Sequence, residues 1–97
     1  MVHGLSSRVT GELTRFARDA GVRRVVLFGS RARGTNGPRS DVDLAVSGGD
    51  FNAFYWAVTE RIHSLLTFDL VDLDRGVTEA LQKEIDRDGV VIYEKAE

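Results

Sequence analysis

Asp41 and Asp43, in the stretch "SDVDLAV" at 40–46, put two carboxylates on a segment that otherwise reads as built for burial. A strand has a period of two, so both acids face one side, with Val42 and Leu44 on the other. Like charges placed together repel one another and resist desolvation. A shared cation would compensate them. Carboxylate oxygens suit a hard ion such as Mg²⁺, which keeps several waters and is often shared with substrate phosphates.

The preceding stretch "GSRARG" at 29–34 offers the complementary half. Gly29 lets backbone approach a ligand closely, and a helix beginning here would aim its positive end at an anion. Ser30 adds a hydroxyl donor. Arg31 and Arg33 offer planar forks to phosphate, but two residues apart on a helix they do not share a face. Phosphate donors and metal-binding carboxylates in one loop–strand unit amount to a site for a metal–triphosphate complex, where a general base could activate an attacking hydroxyl. A third carboxylate is available in "FDLVDLD" at 68–74. Asp69 and Asp72 are separated by an odd number of strand positions and face opposite sides, so only one of them can join the pair.

The elements that must position these groups are legible from patterning. Residues 6–20 read as a helix, capped by Ser6 or Ser7, with Val9, Leu13, Phe16, Ala17 and Ala20 at helical spacing and Gly21 at its end. "RRVVLFG" (23–29) is a strand, 30–34 can begin a short helix, and "DVDLAV" (41–46) is a second strand. Asp50 caps a helix whose apolar face is Phe51, Phe54, Tyr55, Val58, Ile62 and Leu65. A third strand covers 68–74, a helix capped by Thr78 runs to Gly89 on Leu81 and Ile85, and "VVIYE" (90–94) is the last strand. The fold class is α/β (α+β): one domain over 1–97, with a mixed four-stranded sheet and helices packed mainly on one side.

Composition sets bounds on function. The 97 residues are 42% hydrophobic, enough for one thin core. There is no cysteine, hence no disulfide framework or thiolate metal site, which fits a cytoplasmic setting. The N-terminal stretch has no apolar run, so no membrane role is expected. A net charge of −2 argues against direct nucleic-acid binding through a broad basic surface. Arg15, Arg18, Arg23, Arg24, Arg31, Arg33 and Arg39 nevertheless all precede Asp41, an asymmetry that fits a local site for an anion. His3 reads as a residue of a disordered terminus and His63 as one of a helix surface. Tyr55 and Trp56 read as packing residues or, if exposed, a docking patch.

Gly29-Ser30, ten intervening residues and Asp41-Val42-Asp43 resemble the signature of the DNA polymerase beta nucleotidyltransferase superfamily. The longer string "FGSRARGTNGPRSDVDLAV" is similar to its small branch, the minimal nucleotidyltransferases. The resemblance implies that Gly29 and Ser30 hold the nucleotide's terminal phosphates, that Asp41 and Asp43 bind two Mg²⁺ ions, and that Arg31 or Arg33 touches phosphate. It places the third acid, a metal ligand and base for the acceptor hydroxyl, early in the strand at 68–74. Asp69 is therefore preferred, with Asp72 the alternative. The implied reaction is transfer of AMP from ATP to a hydroxyl, with pyrophosphate leaving. Larger members hold their acceptor in an additional domain, for which this chain is expected to have no residues. Minimal members resemble antitoxins that add AMP to a tyrosine of a HEPN ribonuclease toxin, so a HEPN partner, a hetero-oligomer and a protein adenylyltransferase antitoxin are the expectation. The alternatives are neutralisation by occlusion without catalysis, or a small-molecule acceptor such as an aminoglycoside.

Overall fold

The Ser6 hydroxyl accepts a hydrogen bond from the Val9 N–H, and a thirteen-residue helix, α1 (Ser7–Asp19), starts there. In the computed structural model, which describes residues 3–96, the chain continues through β1 (Arg24–Phe28), α2 (Gly29–Arg33), β2 (Val42–Ser47) and α3 (Phe51–Arg61). It then forms β3 (Phe68–Asp72), a 3₁₀ turn (Leu73–Arg75), α4 (Glu79–Asp88) and β4 (Val90–Glu94). The expected caps are in place: Asp50 accepts from the Ala53 N–H at 3.0 Å and Thr78 from the Leu81 N–H at 3.2 Å.

The strands form one sheet in the order β3-β2-β1-β4, with β1 antiparallel to both β2 and β4 and with β2 parallel to β3. Alternation along β1 and β2 sends Val25, Leu27, Val42, Leu44 and Val46 to one face, against Val9, Leu13 and Phe16 of α1 and Phe54 and Val58 of α3. Val26, Phe28 and Ala45 point the other way and pack with Ile85 and Leu81 of α4. The helices thus lie mainly on one face, as expected, with α4 the exception. That exception matters, because Asp43 shares the α4 face with Ala45.

Two expected elements are shorter than their apolar patterns. The helix at 51–61 does not reach Leu65, which is fully exposed. Instead the chain turns extended at Ile62, and Glu12 of α1 accepts the His63 backbone N–H at 2.9 Å and pairs with its ring Nδ1. His63 is therefore a tie between α1 and the α3–β3 connection rather than a helix-surface residue. Its hydrogen bonds hold the Glu12 carboxyl below the ordinary carboxylate range. Strand β3 ends at Asp72, whose own carboxylate accepts the Asp74 N–H at 3.0 Å and turns the chain.

Phe54 is buried, whereas Tyr55 and Trp56 stand on the outer side of α3, Trp56 being 59% exposed. His3 Nδ1 donates to the Arg31 carbonyl, 3.2 Å away, so it is engaged rather than free. No helix among the described residues is long and apolar enough to cross a membrane.

Candidate active site

β1 delivers the chain to Gly29 with φ at +77°, a left-handed conformation that favours glycine, and α2 begins at once. A β-carbon on Gly29 would lie 2.2 Å from Asp43 Oδ2, so the glycine is what lets Asp43 lie against the start of α2. Asp41 stands one residue before β2 and Asp43 within it, and both open on a single cleft of about 500 Å³. Its lining is Gly29, Ser30, Arg33, Arg39, Ser40, Asp41, Asp43 and Glu84. The first N–H groups of α2 have no intrahelical partners, so the Gly29–Ser30 end offers free donors beside two acids.

The parallel register sets Asp69 directly beside Asp43 on the neighbouring strand, while Asp72 pairs with Val46. Asp69 is thus on the face of Asp43 and Asp72 on the other, where it serves as the cap of the 3₁₀ turn. The Asp43 carboxyl is pushed up from its ordinary range. Burial is the main cause, followed by the charges of Asp69, Asp41 and Glu84, and Arg33 offsets them in part.

The expected three-carboxylate metal set is not closed: among the described residues, no three His, Cys, Asp or Glu side chains are arranged to hold a metal ion. Asp69 is exposed on the edge strand β3. A crowded Asp41–Asp43 pair remains, with oxygen donors only. That donor set fits Mg²⁺, which is commonly held by one or two carboxylates and completes its shell with water and substrate phosphate.

The arginines divide differently from the expectation that either could touch phosphate. Arg33 lines the cleft, but Arg31 is 1% exposed and lies beneath the loop. Its guanidinium donates to the Ser40 carbonyl at 2.9 and 3.1 Å and to the Pro38 and His3 carbonyls, each at 3.3 Å. Arg31 therefore fastens the 34–41 loop that carries Ser40 and Asp41 to the N-terminal segment. Arg31→Ala should cost about 2–3 kcal/mol, read as a lower urea midpoint, because it empties a buried space and strands several carbonyls. The basic N-terminal half does not gather at one site either. Arg39 joins Arg33 at the cleft, whereas Arg23 and Arg24 line a separate depression with Glu94 and Lys95. Arg15 lies over the Phe16 ring. Glu84 was not anticipated: on an amphipathic helix its spacing marks it only as a partly exposed acid.

Residues 12–97 match the family described as Polymerase beta, Nucleotidyltransferase. The chain belongs to that family and is a nucleotidyltransferase. Its backbone is similar to a solved toxin–antitoxin with AMP-PNP, at 27% identity and a TM-score of 0.68, over 89% of this chain and 73% of that one. A mutant of the toxin–antitoxin MntA-HpeT is similar at 25% identity, TM-score 0.68 and the same coverage. The fold is also that of the toxin–antitoxin MntA-HepT, at 23% identity, TM-score 0.63, 93% of this chain and 74% of that one. No curated protein matches the sequence.

Proposed function

We propose that this chain transfers AMP from ATP to a hydroxyl on a partner protein, a tyrosine of a HEPN-type toxin, and acts as the antitoxin. The observation that carries the reading is the pairing of Asp43 with Asp69 on adjacent parallel strands, in register, beside a cleft lined by Gly29, Ser30 and Asp41. The similarity to a toxin–antitoxin structure holding an ATP analogue supports both the nucleotide and the kind of partner.

In this reading the Gly29 and Ser30 donors hold the β- and γ-phosphates, and Arg33 and Arg39 neutralise them from the rim. Asp41 and Asp43, with Asp69 at the open side, would hold Mg²⁺. When bound, Mg²⁺ supplies charge neutralisation at the phosphates and lowers the cost of a developing alkoxide. Asp69, exposed on the edge strand, takes the proton of the incoming hydroxyl. The oxygen of that hydroxyl bonds to the α-phosphorus, the bond from α-phosphorus to the bridging oxygen breaks, and pyrophosphate leaves toward Gly29 and Ser30. Arg31 has no contact with substrate and holds the loop that carries Asp41.

The exposed rings of Tyr55 and Trp56 favour a second reading in which the partner is neutralised by occlusion. Expressing the toxin with wild-type chain or with Asp69→Asn separates the two. Catalytic neutralisation requires the variant to bind the toxin yet leave it active. Full neutralisation by the variant would favour occlusion.

A further inference from the structure

Glu84 reaches the cleft from α4, an element outside the Gly-Ser and Asp-x-Asp segments, and its charge is directed at Arg33. The Arg33 Nη1 lies 3.8 Å from Glu84 Oε1 and 3.7 Å from Asp88 Oδ2. Both separations are too long for good hydrogen bonds, so the guanidinium is attracted to the two acids without being locked to either. The two acids are not equivalent. Asp88 is already taken by a two-pronged contact with Arg87, at 2.8 and 3.1 Å. Among the described residues, Glu84 has Arg33 as its one ion-pair partner. It also adds to the negative field at Asp43.

We infer that Glu84 is a positioning residue that competes with bound phosphate for Arg33 and so promotes release of pyrophosphate. The inference rests on the reading that this cleft takes the nucleotide's phosphates. A phosphate seated at Gly29 and Ser30 draws the Arg33 fork into a charge-assisted pair, and the Arg33–Glu84 attraction is surrendered when it forms. When product forms, Glu84 offers the guanidinium an alternative partner, already in place at the cleft wall. Binding and release are linked through one side chain, and the linkage has a sign: removing Glu84 tightens phosphate binding. Because Arg33 and Glu84 are each partly exposed, the effect is modest, about two- to fivefold.

The test is calorimetric titration of inorganic pyrophosphate with Mg²⁺, and separately of ATP with Mg²⁺, into wild-type chain, Glu84→Gln, Glu84→Asp, Arg33→Ala and the Glu84→Gln/Arg33→Ala double variant. Tightening of both ligands by Glu84→Gln, restored toward wild type in Glu84→Asp and absent in the Arg33→Ala background, is the expected result. In transfer assays KM should fall with kcat, the pattern of over-tight ground-state and product binding. Unchanged or weaker binding by Glu84→Gln overturns the inference, as does equal tightening without Arg33, which would make Glu84 a general source of repulsion. If wild-type chain binds neither ligand at millimolar concentration, the phosphate reading of the cleft fails and this inference fails with it.

Discussion

Asp43→Asn should lower AMP transfer roughly a hundred- to a thousandfold, the usual scale for removing one preorganised electrostatic group, and at the same time make the protein more stable. The two effects share one cause. Asp43 is held where burial and the charges of Asp69, Asp41 and Glu84 all oppose its ionisation. Its folded pKa lies above the ordinary 3.8, so at neutral pH the folded state carries a strained carboxylate that the unfolded chain does not. That penalty is absent below about 3.8 and grows as pH rises through the raised folded value. The asparagine variant escapes it, and its melting temperature at pH 7 should be about 2–5 °C higher in metal-free buffer. The gain should shrink on acidification toward the ordinary carboxylate pKa.

Ligand reverses the order. With Mg²⁺ and a non-hydrolysable ATP analogue at about a hundred times the dissociation constant, wild type gains about 2.7 kcal/mol by mass action. That corresponds to a rise of roughly 10–20 °C in a domain of this size. Asp43→Asn should lose most of that rise. A variant no more stable than wild type without metal would mean that Asp43 is an ordinary solvated strand acid.

Gly29→Ala should be the most damaging substitution outside the acids. It forces a β-carbon into a left-handed backbone, at about 1–2 kcal/mol, and 2.2 Å from Asp43 Oδ2. The carboxylate has to move, and a displacement of about an ångström at a reacting centre can cost on the order of a hundredfold in rate. Gly34→Ala is the control. Gly34 also has positive φ, at +79°, but nothing lies within 4 Å of its added β-carbon. Both variants should lower the melting temperature through the shared backbone strain, Gly29→Ala by at least as much as Gly34→Ala, and only Gly29→Ala should abolish most transfer. Equal loss of transfer in both would point to the backbone of α2 rather than to the Gly29–Asp43 contact.

The strand periodicity carried much of this site. Asp41 and Asp43 share the cleft as their spacing required, and the odd separation of Asp69 and Asp72 showed that only one could join them. Which one depended on β2 and β3 being parallel neighbours in a particular register, a long-range fact that no local pattern holds. The helical period likewise said that Arg31 and Arg33 point apart, but the loop at 34–41 had to fold back before Arg31 became its buried fastening. Leu65 extended the apolar spacing of α3 in the sequence and not in the fold, because Glu12, fifty-one positions before His63, captures that residue and ends the helix. Glu84 was hidden for the same reason. Its neighbours Leu81 and Ile85 show an amphipathic helix, and only the docking of α4 on the Asp43 face brings its carboxylate to the cleft.

Intact-mass spectrometry of the proposed toxin partner tests most directly whether the chain transfers a group to a protein hydroxyl. The toxin is incubated with this chain, ATP and Mg²⁺, alongside Asp43→Asn and a reaction lacking metal. The expected result is mass added to the toxin in AMP steps, on a tyrosine, with wild type alone and only in the presence of Mg²⁺. A toxin of unchanged mass in a stable, neutralised complex would contradict transfer.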